Sequence, residues 1–132
     1  MSAVTAQSTG EGPFQVGIRT GSHSFVMDEP VELGGLDTGP NPFDLLCAAL
    51  AGCTLMTVKL YASRKGWTLD HFNVDVVHHK GSAPAKDRFE VTLAFGDMTD
   101  EQCERLLYIA QRCPTHLLLE RGADIPTTIA EE

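Results

Sequence analysis

Asn41-Pro-Phe-Asp-Leu-Leu-Cys-Ala-Ala-Leu-Ala-Gly-Cys-Thr-Leu-Met-Thr-Val-Lys-Leu-Tyr-Ala-Ser-Arg-Lys-Gly66 is the longest apolar stretch of this 132-residue chain. Asn41 is a good helix N-cap, because its side-chain oxygen can accept a free first-turn N–H. Pro42 follows at the first helical position, where its missing N–H costs nothing. Asp44 places a carboxylate near the positive end of the helix dipole. Arg64 and Lys65 fall in the last turn, and Gly66 is a natural left-handed stop. Between these signals the segment is apolar nearly all round, which predicts a long central helix buried on most of its faces. The run from Leu45 to Val58 is interrupted by Gly52, Thr54 and Thr57 and ends at Lys59. It is shorter than the ~20 residues that cross a bilayer, so a core helix is expected rather than a membrane partner. In its middle sits Cys53, between Gly52 and Thr54.

Working outward, Phe14 to Arg19 alternates apolar and polar residues, as a half-buried strand does. Thr20-Gly21-Ser22 is a turn signal, and His23 to Asp28 reads as the returning strand of a hairpin. Val31-Glu32-Leu33 reads as a short third strand. Gly34 to Pro40 is a glycine-rich loop that delivers the chain to the helix cap. After Gly66 a short link leads to two further alternating segments, Phe72 to His79 and Arg88 to Phe95, joined by a loop of Gly, Ser, Ala and Pro. Thr99 and Gln102 form the signature of a capping box. It opens a second helix with Cys103, Leu106, Leu107, Ile109, Ala110 and Cys113 at helical spacing. Pro114 interrupts that pattern, and Thr115 to Arg121 can begin another short helical turn. Ile125 to Ile129 reads as a last strand or an extended tail. The expected class is α+β, with antiparallel strands around a long buried helix. Residues 1–12 read as a flexible leader, and residues 13–132 as a single domain. A nearly all-apolar helix is hard to hide in so small a subunit, which predicts a homodimer.

Ten basic against eighteen acidic residues give a net charge of −8. Phosphate-backbone binding needs clustered Lys and Arg, so nucleic acid is not an expected partner. Met1 to Gly12 has neither a basic n-region nor an apolar h-region, and a cytoplasmic location is expected. The cysteines are Cys47, Cys53, Cys103 and Cys113. None forms a CxxC or a Cys/His array at zinc spacing, so neither a metal nor a cofactor is expected. Adjacent strand residues such as His78 and His79 point to opposite faces and do not readily share an ion.

Free cysteine is most often a small buried hydrophobe, and Cys47 and Cys103 fit that description. Cys53 and Cys113 have a second reading. Gly52 permits close approach beside Cys53, and Cys113 precedes a proline at a helix break, where backbone N–H groups are free. Two thiols on two helices suit a peroxidatic and resolving couple, in which a sulfenic acid on the first condenses with the second.

At these residues the chain resembles the OsmC/Ohr family. The resemblance is carried by Asn-Pro-x-x-Leu-Leu-x-Ala-Ala-Leu-x-x-Cys-Thr (Asn41 to Thr54), by Leu-Tyr-Ala-x-x-Lys-Gly-Trp (Leu60 to Trp67), by Asp28-Glu29-Pro30 with the Gly34-Gly35 loop, and by Ile109-Ala-x-x-Cys-Pro-x-His116. It implies an intertwined α+β homodimer. It also implies a thiol peroxidase that reduces organic hydroperoxides and is reset by a dithiol reductant. By the same resemblance Cys53 takes the peroxidatic position and Cys113 the resolving one.

Peroxidases of that family carry a hairpin arginine and a glutamate directly after the helix-start proline, which together activate the thiolate. Here Phe43 follows Pro42, and the acid is Asp44, turned by about 100° around the helix. Nine residues before Cys53, Asp44 falls on nearly the opposite face, where a first-turn dipole partner is the better reading. In the hairpin, Arg19 and His23 are the two candidates to support the thiolate. The competing function is an apolar-ligand-binding or redox-sensing protein with slow cysteines.

Overall fold

Thr20 and His23 pair across a two-residue turn in which Gly21 takes the left-handed backbone such turns favour, at φ 59°. In the computed structural model, which describes residues 1–131, this turn joins β2 (Val16–Thr20) to β3 (His23–Met27). A further strand, β1 (Thr5–Ser8), pairs antiparallel with β2, giving the order β1-β2-β3. The leader expected over residues 1–12 is thus partly a strand. Its four side chains are all exposed. Only backbone bonds hold it to the sheet, and hydropathy does not register those. The Thr20 hydroxyl adds a bond to the Ala3 carbonyl at 3.0 Å.

Val31–Leu33, expected as a strand, is a 3₁₀ turn. The Pro30 carbonyl accepts from the N–H groups of both Leu33 and Gly35, and Gly34 ends the turn at φ 94°. Gly35 then passes directly against the Glu29 carbonyl, with no room for a side chain. Asp28, buried, fastens the loop. Its carboxylate accepts from the Thr38 hydroxyl at 2.6 Å, the Thr38 N–H at 3.2 Å and the Glu29 N–H at 2.8 Å.

The central helix, α1, runs Pro42–Lys65. Asn41 caps it as the sequence requires: its side chain accepts from the Asp44 N–H at 2.8 Å, and Asp44 accepts from the Asn41 N–H at 3.3 Å. At the other end Gly66 sits at φ 73°, and the Trp67 N–H closes back on the Ala62 carbonyl. A single chain hides only part of this helix. Only Leu50, Thr54, Val58 and Ala62 are buried, one stripe at a spacing of four. Met56 is 71% and Leu60 54% exposed. By length and composition alone α1 is apolar enough to cross a membrane. Through Val58 and Ala62 the buried stripe packs against α2.

The contacts of the chain gather into two compact units, Met1–Ala48 and the residues from Ala49 onward. In the second unit, β4 (Asn73–His79) pairs antiparallel with β5 (Arg88–Ala94) in a register that sets Val76 against Val91 and His78 against Phe89. Alternation puts Val74, Val76 and His78 on the face shared by Phe89, Val91 and Leu93. α2 (Asp100–Ala110) opens on the complete Thr99–Gln102 capping box. Its buried Leu106 and Ala110 meet Val58 and Ala62 of α1 in the core, with Phe72, Leu93, Phe95 and Trp67 around them. Arg105 donates to the Tyr61 hydroxyl at 2.8 Å across the same pair of helices. Beyond Pro114 the chain forms a full helix, α3 (Pro114–Arg121). No strand forms at Ile125–Ile129, where both isoleucines are almost fully exposed.

Candidate active site

The α1 stripe positions the site. Thr54 lies on it, so Cys53 stands one position round the helix, beside the core rather than in it, and is half-buried. Cys113 is fully buried at the junction of α2 and α3, as the N-cap residue of α3. Pro114 occupies the first helical position, so the earliest N–H groups that α3 can offer belong to Thr115 and His116.

The fold brings the two thiols together, within hydrogen-bond reach of each other. Burial pushes the Cys53 thiol up, but hydrogen bonding outweighs it. The Cys113 thiol, the Thr115 hydroxyl and N–H, and the Thr57 hydroxyl hold Cys53 below the ordinary thiol range. Cys113 moves the other way, raised first by its burial and then by donating a hydrogen bond to the Cys53 sulfur. The two thiols are thus shifted in opposite directions, with Cys53 accepting and Cys113 donating the hydrogen bond between them.

Thr115 and Thr57 were not singled out from the sequence. The available signal was Cys-Pro-Thr itself: a proline at a helix start implies free N–H groups one and two residues later. Those N–H groups, with the positive end of the α3 dipole, favour an anion.

The other candidates are placed by their own elements. Arg19 is exposed on β2 and His23 is exposed at the start of β3, both in the first unit. Asp44 is engaged in the Asn41 cap. Cys47 and Cys103 are half-buried. His78 and His79 face opposite sides of β4: His78 bonds Asp87 at 2.7 Å, while His79 approaches Glu90 at 3.8 Å. His116 faces Glu120 at 3.3 Å.

Two cavities adjoin the α1 stripe. One, of about 220 Å³, is lined by Thr54, Phe89, Val91, Leu107, Ala110 and His116, among others. A more open cleft of about 410 Å³ includes Leu50, Phe89, Val91, His116 and Leu119, with a charged rim from Lys86 to Arg88 and at Glu120. Phe89, Val91 and His116 line both, so each mixes apolar with polar walls, and neither is lined by Cys53 or Cys113.

A family model described as OsmC-like protein matches residues 35–128, the span that holds α1, both cysteines and all the strands of the second unit. Among curated proteins none matches the chain. Solved structures of the same fold include an OsmC-like protein from Mycoplasma pneumoniae, with 19% identity and TM-score 0.76 over 91% of this chain and 87% of that one. The organic hydroperoxide resistance protein OsmC from Legionella pneumophila is similar at 20% identity and TM-score 0.67, over 90% and 88% of the two chains. OhrB, the organic hydroperoxide resistance protein of Bacillus subtilis, is similar at 24% identity and TM-score 0.61, over 89% and 90%. At these identities the likeness establishes the fold, α+β with antiparallel strands and a long helix. With most of its length matched by the family model and the fold shared across it, the chain belongs to the OsmC-like protein family.

Proposed function

We propose that this chain is a cysteine-based thiol peroxidase that reduces organic hydroperoxides in the cytoplasm, in defence against oxidative stress. The observation that carries the reading is the divided thiol pair, with Cys53 favoured as thiolate and Cys113 held as thiol beside it. The Cys53 thiolate attacks the outer peroxide oxygen. The O–O bond breaks, the alkoxide takes a proton and leaves as alcohol, and Cys53 becomes a sulfenic acid. The Cys113 sulfur attacks that sulfur, an S–S bond forms, and the hydroxyl leaves as water with the Cys113 proton. A dithiol reductant then returns both thiols. The apolar side chains on the nearby cavity walls, Phe89, Val91, Leu93 and Leu107 among them, favour an organic hydroperoxide over hydrogen peroxide. Arg19 or His23 is proposed to support the thiolate, and Asp44 to serve the helix cap.

Reduced protein mixed with cumene hydroperoxide is expected to lose two thiols per chain, and Cys53→Ser to lose none. Cys113→Ser is expected to lose one and to accumulate a dimedone-reactive sulfenic acid. Unchanged thiol loss in Cys53→Ser sinks the reading. If the wild type loses no thiols at all, the alternative of an apolar-ligand-binding or redox-sensing protein takes its place. That alternative is favoured by Phe43 standing where the family's peroxidases have glutamate.

A homodimer is proposed with it. α1 leaves Leu46, Met56 and Leu60 exposed along its length, an apolar face that a second copy would cover. Sedimentation equilibrium is expected to give twice the 14.3 kDa chain mass, and Met56→Glu to weaken the association. A wild-type monomer at micromolar concentration would remove this part of the proposal.

A further inference from the structure

Thr54 is 1% exposed, and its hydroxyl is buried without a hydrogen-bond partner. Leaving a buried hydroxyl unpaired is costly, and a shape-matched valine would avoid that cost. Its neighbours on the α1 stripe, Leu50, Val58 and Ala62, are all apolar. Thr54 shares the 220 Å³ cavity with Ala110 and His116, which flank Cys113. It lies close enough to the Cys113 sulfur to favour the thiolate there, though no hydrogen bond is formed in the resting pair.

We propose that the Thr54 hydroxyl is the hydrogen-bond donor to the Cys113 sulfur during disulfide formation, the second half of the cycle; this rests on the peroxidase reading of the same pair. At rest the Cys113 S–H faces the Cys53 thiolate and needs no donor. Once the hydroperoxide has converted Cys53 to a sulfenic acid, negative charge develops on the attacking Cys113 sulfur. There it is fully buried, where charge is disfavoured. As the S–S bond forms and the Cys53 S–O bond breaks, the Cys113 proton leaves with the hydroxyl as water. Thr54, unpaired until then, donates to the sulfur as charge gathers. A donor fixed in place beforehand costs no reorganisation when the charge appears.

Single-turnover mixing of wild type, Thr54→Val and Thr54→Ser with cumene hydroperoxide separates the two steps. Dimedone trapping follows the sulfenic acid, and thiol counting follows the disulfide. Thr54→Val is expected to form the sulfenic acid at the wild-type rate but to close the disulfide roughly tenfold more slowly. Thr54→Ser, which keeps the hydroxyl, is expected to restore most of that rate. Thr54→Ala also lacks the hydroxyl, is expected to show the same delay, and serves should valine not fit. Disulfide closure at the wild-type rate in both Thr54→Val and Thr54→Ala overturns the proposal, as does an equal delay in Thr54→Ser. A second measurement needs no peroxide. In a Cys53→Ala background, thiolate absorbance at 240 nm reports Cys113, and adding Thr54→Val is expected to raise its midpoint by about one pH unit. An unmoved midpoint overturns the role of Thr54 even if peroxide is consumed. Failure of the wild type to lose thiols overturns the peroxidase reading instead.

Discussion

Cys53→Ser is expected to lower the rate of hydroperoxide consumption by about 10³-fold or more, because a hydroxyl at that position cannot supply the nucleophile. The wild-type rate is expected to depend on pH in a direction set by the donors around Cys53. The thiolate is the reactive form, so the rate should climb with pH and level off above the Cys53 pKa. Burial alone would push that pKa up. The Cys113 thiol, the Thr115 hydroxyl and N–H, and the Thr57 hydroxyl more than offset it, so the midpoint should fall below that of an ordinary free cysteine. Thr115→Val removes one donor and keeps the N–H, and is expected to move the midpoint up. The same lowering is a stability statement. It contributes stability above the unfolded thiol's pKa, and that contribution is lost as pH falls through the lower folded value. Initial rates with cumene hydroperoxide from pH 5 to 10 check both. A midpoint at or above the ordinary range, or one that Thr115→Val leaves in place, would break the link between α3 and the thiolate.

Leu106→Ala is expected to be the most destabilising single truncation in the second unit. Leu106 is fully buried against Val58, Ala62 and Ala110. Removing its branched end takes away the transfer energy of the lost carbons and leaves a cavity that α1 and α2 can only partly close. The loss is expected at about 3 kcal/mol, a large share of the 5–15 kcal/mol by which domains are ordinarily stable. Glu104→Ala, on an exposed position of the same helix, is expected to change stability by less than about 0.5 kcal/mol. Urea unfolding of both variants at one protein concentration gives the comparison. Equal midpoints for the two would mean that the α1–α2 contact does not hold the unit together.

The limits of α1 were legible because they depend on neighbours in sequence: Asn41 and Asp44 reach each other's backbone within one turn, and Gly66 needs only its own φ. The Thr99–Gln102 box and the alternation of β4 and β5 are local in the same sense. β1 was not legible, since its pairing runs through backbone groups common to every residue. The 3₁₀ turn at Val31–Leu33 was missed because apolar residues beside a glutamate look the same in a short strand and in a tight turn.

For the site, residue type and motif picked out Cys53 and Cys113, and Pro114 marked the place where a helix starts with free N–H groups. Residue order by itself therefore determined the helix caps, the strands β2 to β5, the class and the two thiols. Only the tertiary structure decided that the thiols meet, that their surroundings lower the pKa of Cys53 and raise that of Cys113, and that Thr115, Thr57 and Thr54 surround the pair. Those facts join α1 to residues some sixty positions away. They follow from how Leu106 and Ala110 seat α2 on the α1 stripe, a choice among many packings that no local pattern encodes. Within one chain the apolar helix is buried along a single line, because one small subunit has too few neighbours to cover the rest of it.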